Sequence, residues 1–450
     1  MAVACVVVVM ACVEEGRLQP ETGSGVSRRV SLVPIMRPTS TPRAMPLLST
    51  LLLLNVALAA LPTECRPVDK HAPMEVYLVT TGPGHDMYTR VGHSALWVSG
   101  GGGGEAFFNW GTYDIKQDNF LWKFFMGTAK YRLSLKSRQR NDRRVKRQDQ
   151  MLKAQRLDLP PKARSHLKRL LIENKKPENR TYVYHWETQN CATMIRDMLD
   201  ESLGGAFQHL KEETSVYTYR HEVLRHLGGL HWTWFGWHFM ASNYGDQLYD
   251  KWSLLHIPER LMEETGKLQI TLANGQTRPL VDRECILNEG GYGWTPTEPP
   301  TRWPLMWLIG TLLGLIFMVS VDTGSRGLRI GAGLTMGLFF LFAGGLGSIF
   351  MYFYFVSTLD GYGPNENWFY AGPWTLLMVP YAAALTMGQS GWVERMAPIP
   401  IFLGAVALLG GVVNVFTVQV NIDFIGLFGV PIVCLAFAAR RQRMGAVAAP

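Results

Sequence analysis

The last third of the chain decides what the protein can be. From Trp303 to the C-terminal arginines almost every residue is apolar. In lipid, such text has to form helices, because the bilayer core offers no partner to an unpaired backbone group. Five stretches, 304–321, 330–356, 368–387, 399–418 and 424–439, approach the roughly 20 residues a membrane helix needs. Short-loop charges orient them. Arg326 and Arg329 follow the first stretch, Arg395 the third, and Arg440, Arg441 and Arg443 the fifth, whereas loops 357–367 and 419–423 hold no Lys or Arg. With the basic side in the cytoplasm, Trp303 lies outside and the domain before it is exported.

The other end of the chain agrees. Arg37 and Arg43 precede an apolar run, 46–61, that contains Ala57-Leu58-Ala59 as a cleavage signal. Residues 1–65 therefore read as leader and signal peptide, with the start codon at Met36 or Met45. An apolar content of 47% excludes a disordered chain, and the export signals exclude an ordinary cytosolic enzyme. The six cysteines are too few and too scattered for a disulfide scaffold, and no Cys-x-x-Cys pair suggests zinc. No metal or organic cofactor is expected. The net charge of +8 does not point to nucleic acid, which the compartment excludes.

Between the two ends, 70–300 reads as one exported domain of α+β class. Strands are expected at 74–81, 93–98, 105–110, 131–136 and 181–186, helices at 161–174 and 191–203, and a hairpin over 267–280 about Asn274-Gly275. Irregular alternation of the two argues against a doubly wound sheet.

Cys191 stands at the first turn of an expected helix, directly after the capping residue Asn190. Helix-start N–H groups favour an anion, so they are expected to lower the thiol pKa and to offer donors to an oxyanion. A thiol nucleophile needs a base that works near neutral pH, and His93 at the start of a short strand is the leading candidate over His85 and His185. Asn109 on the next strand is the candidate to orient the imidazole, with Asp114 as the alternative. Arg220 is expected to hold a phospholipid phosphate and Arg196 to pair with Asp200. The basic run 136–147 reads as a solvated helix face or a contact for anionic head groups. Trp232, Trp234 and Trp237 suggest a belt at the lipid surface, with Trp234 beside the substrate.

The segments GHDMYTRVGHSALWV, FFNWGTYD, FLWKFFMGTAKYRLS and YVYHWETQNCATMIRDML resemble the periplasmic domain of the Lnb family of lipoprotein N-acyltransferases. The resemblance implies a permuted papain-like cysteine-enzyme fold, with His before Cys in the chain, followed by a five-helix transmembrane bundle at 303–443. It implies Cys191 as nucleophile, His93 as base and Asn109 beside it, and it places Arg220 on the family's Arg and Asn190 in its Asn-Cys motif. A phospholipid acyl donor, a lipoprotein acceptor and the bacterial inner membrane follow from the same likeness. Two alternatives use the same residues differently: a papain-like cell-wall peptidase or amidase, and a membrane sensor without catalysis.

Overall fold

A computed structural model of the chain describes residues 65, 68–113, 118–272 and 274–448. The expected signal peptide and Asp114 lie outside the described residues. Strands β1 (Glu75–Thr81), β2 (His93–Ser99), β3 (Glu105–Thr112), β4 (Lys130–Lys136), β5 (Leu152–Leu157), β6 (Thr181–Val183) and β7 (Val281–Asn288) form one sheet. Its order is β7-β5-β1-β2-β3-β4-β6, and every neighbouring pair is antiparallel. Neither β5 nor β7 is among the strands expected from the text.

Both faces of β1 and β2 are covered, and each strand carries a run of four apolar residues at its centre, 76–79 and 95–98. On one face Tyr77, Trp97 and Phe107 stack across three strands, with centroids 4.4 Å and 5.6 Å apart. Helices α1 (Phe120–Phe125) and α2 (Arg138–Arg147) follow β3 and β4, and α2 packs its Val145 onto that stack. Helix α3 (Pro161–Lys175) and helix α4 (Cys191–Ser202) cover the other face with Leu167, Leu171, Ile195 and Leu199.

Cys65 is paired with Cys285 of β7 in a disulfide. Cys65, expected to close the leader, thus belongs to the folded part, and this is one bridge among the described residues.

Helices α5 (Tyr219–His226) and α6 (His231–Met240) lead away from the sheet toward the apolar region. There, among the described residues, four helices are long and apolar enough to cross a membrane: α7 (Trp303–Asp322), α8 (Arg326–Val356), α9 (Ser390–Val415) and α10 (Ile422–Met444). The third expected span differs. Residues 368–387 form a helical turn (Trp368–Ala371), a 3-10 turn (Pro373–Leu377) and a short helix (Met378–Met387). Gly372-Pro373 breaks the ladder, since proline has no N–H to give it. The ends of this segment are nonetheless far apart in the bundle. Asn367 donates to Phe239 O on the sheet side, while Gly388 packs against Arg329 at the start of α8.

The core does not stop between the two halves. Phe235 and Phe239 of α6 pack on Phe424 and Phe428 of α10, with centroids 5.1–6.4 Å apart, and Phe239 also meets Phe350 of α8. The last carbonyls of α6 are taken up by bundle loops. Asn365 Nδ2 donates to Phe239 O and Met240 O at 2.8 Å and 3.0 Å.

Candidate active site

The start of α4 is built by its own sequence. Asn190 Oδ1 accepts from the N–H groups of Ala192 and Thr193 at 2.8 Å and 3.0 Å, and Thr193 Oγ1 accepts from Asn190 N–H at 2.8 Å. This reciprocal cap fixes the first turn and hence the direction of Cys191. Asn190 Nδ2 donates to Trp186 O and His256 O, so every polar atom of this amide serves the fold. Asn190 therefore positions Cys191, and it also lines the cavity on which Cys191 opens.

His93 comes from the start of β2, directly after Gly92. That glycine has φ +79°, and a Cβ on it would stand 2.5 Å from Thr81 O, so only glycine admits this approach. Gly111, φ +83°, lies close to both: a Cβ there would sit 3.7 Å from Cys191 Cβ and 3.8 Å from His93 Cε1. The two side chains are thus neighbours beside a glycine on β3 and line one cavity. Asn109 lies beside the imidazole and favours its protonated form. Its Nδ2 donates to Phe107 O at 3.1 Å, and its buried Oδ1 has no other partner in hydrogen-bond geometry.

Both groups are neutral at rest. Burial is the main cause that pushes His93 down to about 3, and the positive charges of Arg144 and Lys136 add to it. Burial also pushes the Cys191 thiol up, against the N–H groups of Ser94, Ala192 and Cys191 itself and against Arg144, all of which favour the anion. The lowered thiol pKa expected from the helix start is thereby corrected: the donors are present, but loss of water outweighs them.

Arg144 is the residue that the text concealed. It lies in α2, in the basic run read as a solvated face, yet its Nε and Nη2 are shielded from solvent and have no hydrogen-bond partner among the described residues. A guanidinium in that state beside a thiol and an imidazole supplies a fixed positive charge.

Cys191 and His93 open on a cavity of about 210 Å³ whose walls are mostly apolar and rich in aromatic rings, including Phe124, Phe125, Tyr131, Tyr184, Trp186 and Trp237. Phe125 stacks on Phe353 of α8, and Trp122 lies against the same ring at 5.9 Å. The cavity wall is therefore joined to the end of a membrane-type helix. Trp234 is not part of that wall. It is 2% exposed, with the Arg302 guanidinium over its ring at 4.4 Å, while Trp237 faces the cavity and Trp232 is exposed.

Arg220 is also reassigned. Its Nε and Nη2 bind both oxygens of Asp246 at 2.7 Å, and its remaining donors go to His238 and to the carbonyls of Ala241 and Ser242. No donor is left for a phosphate. Asp246 also accepts from Val420 N–H at 3.0 Å, so this pair ties α5 to a bundle loop. Arg196 pairs with Asp197 at 2.7 Å rather than with Asp200, whose carboxylate caps Phe207 N–H.

Residues 68–225 match the family described as the Lnb N-terminal periplasmic domain, and this part of the chain is an Lnb-type domain. No curated protein and no solved structure matches the chain. With its four membrane-type helices, the chain is a membrane protein with a periplasmic domain.

Proposed function

We propose that the protein is a lipoprotein N-acyltransferase of the bacterial inner membrane, working through a thioester on Cys191. The observation that carries this reading is the position of a neighbouring Cys–His pair in a cavity rich in aromatic rings whose wall is stacked on a membrane helix. An acyl chain prefers hydrocarbon to water by about 0.8 kcal/mol per CH₂, so a site for such a chain belongs against the bilayer. The Lnb-type domain at 68–225 supports the same activity.

In this reading His93 takes the thiol proton as Cys191 Sγ attacks the ester carbonyl of a phospholipid. The N–H groups that face the sulfur, those of Ser94 and Cys191, receive the developing oxyanion, and Arg144 lowers the cost of its charge. His93 then gives the proton to the leaving lysolipid hydroxyl. The thioester passes its acyl group to the α-amine of a diacylglyceryl-cysteine lipoprotein. Residues 70–300 act as a permuted papain-like domain, and 303–443 as five passes through the membrane with the broken segment as the third.

Incubation with phospholipid vesicles should add one acyl mass to the Cys191 peptide. Cys191→Ala should remain folded and transfer nothing. N-acylation by the Cys191→Ala protein would sink the reading.

A further inference from the structure

Beside the aromatic cavity lies a second one of about 180 Å³, whose lining includes Glu187, Thr188, Tyr244 and Tyr249. Tyr219 and His256 line both cavities and stack on each other at 5.4 Å, so the two cavities adjoin at this pair of rings. The second cavity is about half polar, whereas the first is mostly apolar.

Glu187 lies three residues before Asn190. Its Oε2 accepts from Tyr244 O–H at 3.0 Å. Its Oε1 is shielded from solvent and completes no hydrogen bond; the nearby Trp186 indole N–H favours the carboxylate without meeting it in good geometry. Burial pushes Glu187 up to about 7, with Asp360 adding to the rise. Where the cavities adjoin, His256 Nδ1 contacts Ser253 O at 2.8 Å, and its Nε2 is shielded and unpartnered among the described residues. With the proton on Nδ1, Nε2 is an acceptor. The one cation in the lining, Arg196, has its Nε on Asp197 and its Nη1 on Trp252 O, and lies over the Trp252 ring. Two shielded acceptors border a cavity whose cation is already engaged. Leaving a shielded acceptor without a donor is costly, so the matching ligand brings N–H groups and positive charge.

We propose that this second cavity is the acceptor subsite, where Glu187 receives the primary ammonium of the incoming lipoprotein N-terminus and takes its proton. The inference rests on the acyl-transfer reading above. The balance is direct. The ammonium gives one proton to the Glu187 carboxylate, and the free amine attacks the thioester carbonyl carbon. The C–N bond forms, the C–S bond breaks, and the second amine proton passes through His93 to the Cys191 sulfur.

The test separates the two half-reactions in the full-length protein. Vesicles of phosphatidylglycerol and phosphatidylethanolamine load Cys191, and a synthetic S-diacylglyceryl-cysteinyl peptide then unloads it. Glu187→Gln should load within about twofold of wild type and unload roughly 100-fold more slowly, the usual scale for losing a proton acceptor. Tyr244→Phe, which keeps the carboxylate, should load normally and unload only a few-fold more slowly. Unloading of Glu187→Gln at the wild-type rate overturns the subsite while leaving the acyltransferase intact. Failure of the wild type itself to load Cys191 overturns the function and the subsite with it. If Glu187→Gln does not fold, Glu187→Asp decides: normal loading with slowed unloading supports the subsite, and equal rates for both steps overturn it.

Discussion

Phe125 and Phe353 stack with 5.6 Å between ring centroids and 24° between planes, one in the wall of the cavity that holds Cys191 and the other near the end of a 31-residue membrane helix. Ser357 Oγ donates to Phe125 O at 2.9 Å beside them, so ring and backbone are held together. Phe125→Ala should therefore weaken use of membrane-embedded phospholipid while leaving Cys191 as reactive toward iodoacetamide as before. A stacked pair is worth about 0.5–1.5 kcal/mol, so the loss in kcat/KM should be roughly two- to tenfold. An equal fall in alkylation rate would mean that the ring supports the thiol rather than the lipid.

Gly111 lies beside both Cys191 and His93. A methyl there makes ordinary contacts with the two and takes up space next to them, and φ +83° costs alanine about 1–2 kcal/mol. Gly111→Ala should fold, with a slightly lower thermal midpoint, and lose more than tenfold in acyl transfer. Near-normal transfer would show that the proton does not pass beside this glycine.

The thiol should titrate late. Burial holds Cys191 above its ordinary value of 9.0, so alkylation should climb with pH past 9, with no plateau near neutrality from a standing ion pair. Arg144→Gln removes a charge that favours the thiolate and should slow alkylation at fixed pH by roughly three- to tenfold, while Arg144→Lys retains most of the rate. A flat response to Arg144→Gln would remove that residue from the chemistry.

Acid should destabilise the exported part. His226 and His256 are buried and each is pushed down to about 4, mainly by burial. Their folded values lie below the unfolded value near 6.5, so the unfolded chain takes up protons first as pH falls. Stability should decline from about pH 6.5 toward pH 4, by up to roughly 3 kcal/mol for each ring. Thermal midpoints measured across that range should fall, and His256→Gln should flatten the slope.

Reduction should loosen the sheet. The Cys65–Cys285 bridge spans 220 residues, a loop for which chain entropy gives about 5 kcal/mol in the ideal case and strain or residual structure leaves less. A reductant, or Cys65→Ser, should lower the midpoint by roughly 5–10 °C. A free Cys65 thiol in mature, non-reduced protein would contradict the pairing.

Local chemistry explains what was legible in the text. The start of α4 could be read because a cap is a short-range device, carried by Asn190 and Thr193 alone. The membrane helices could be read because twenty apolar residues have few other fates, although Gly372-Pro373 turned one expected span into three pieces. Arg144 could not be read, because a basic run does not show which of its charges turns inward. Arg220 looked available for phosphate only because Asp246 lies 26 residues away in the chain. Trp234 and Trp237 sit three positions apart on one helix, and only the packing around α6 shows which faces the cavity. The bridge from Cys65 to Cys285 depends on a meeting that no spacing rule gives.

The shared core of α6 and α10 also sets an order of events during synthesis. Phe235 and Phe239 are made long before Phe424 and Phe428, which complete their surroundings. At ordinary elongation rates the gap is roughly 10–40 s. During that time the α6 rings have only their α8 neighbours, Phe342 and Phe350, and lack the two α10 rings. A chain stopped before residue 422 should accordingly be exported yet cleaved readily by added protease within 231–240, whereas protection there would mean that α6 packs without its last partner. The last of these transmembrane segments thus works as a latch on the core around α6.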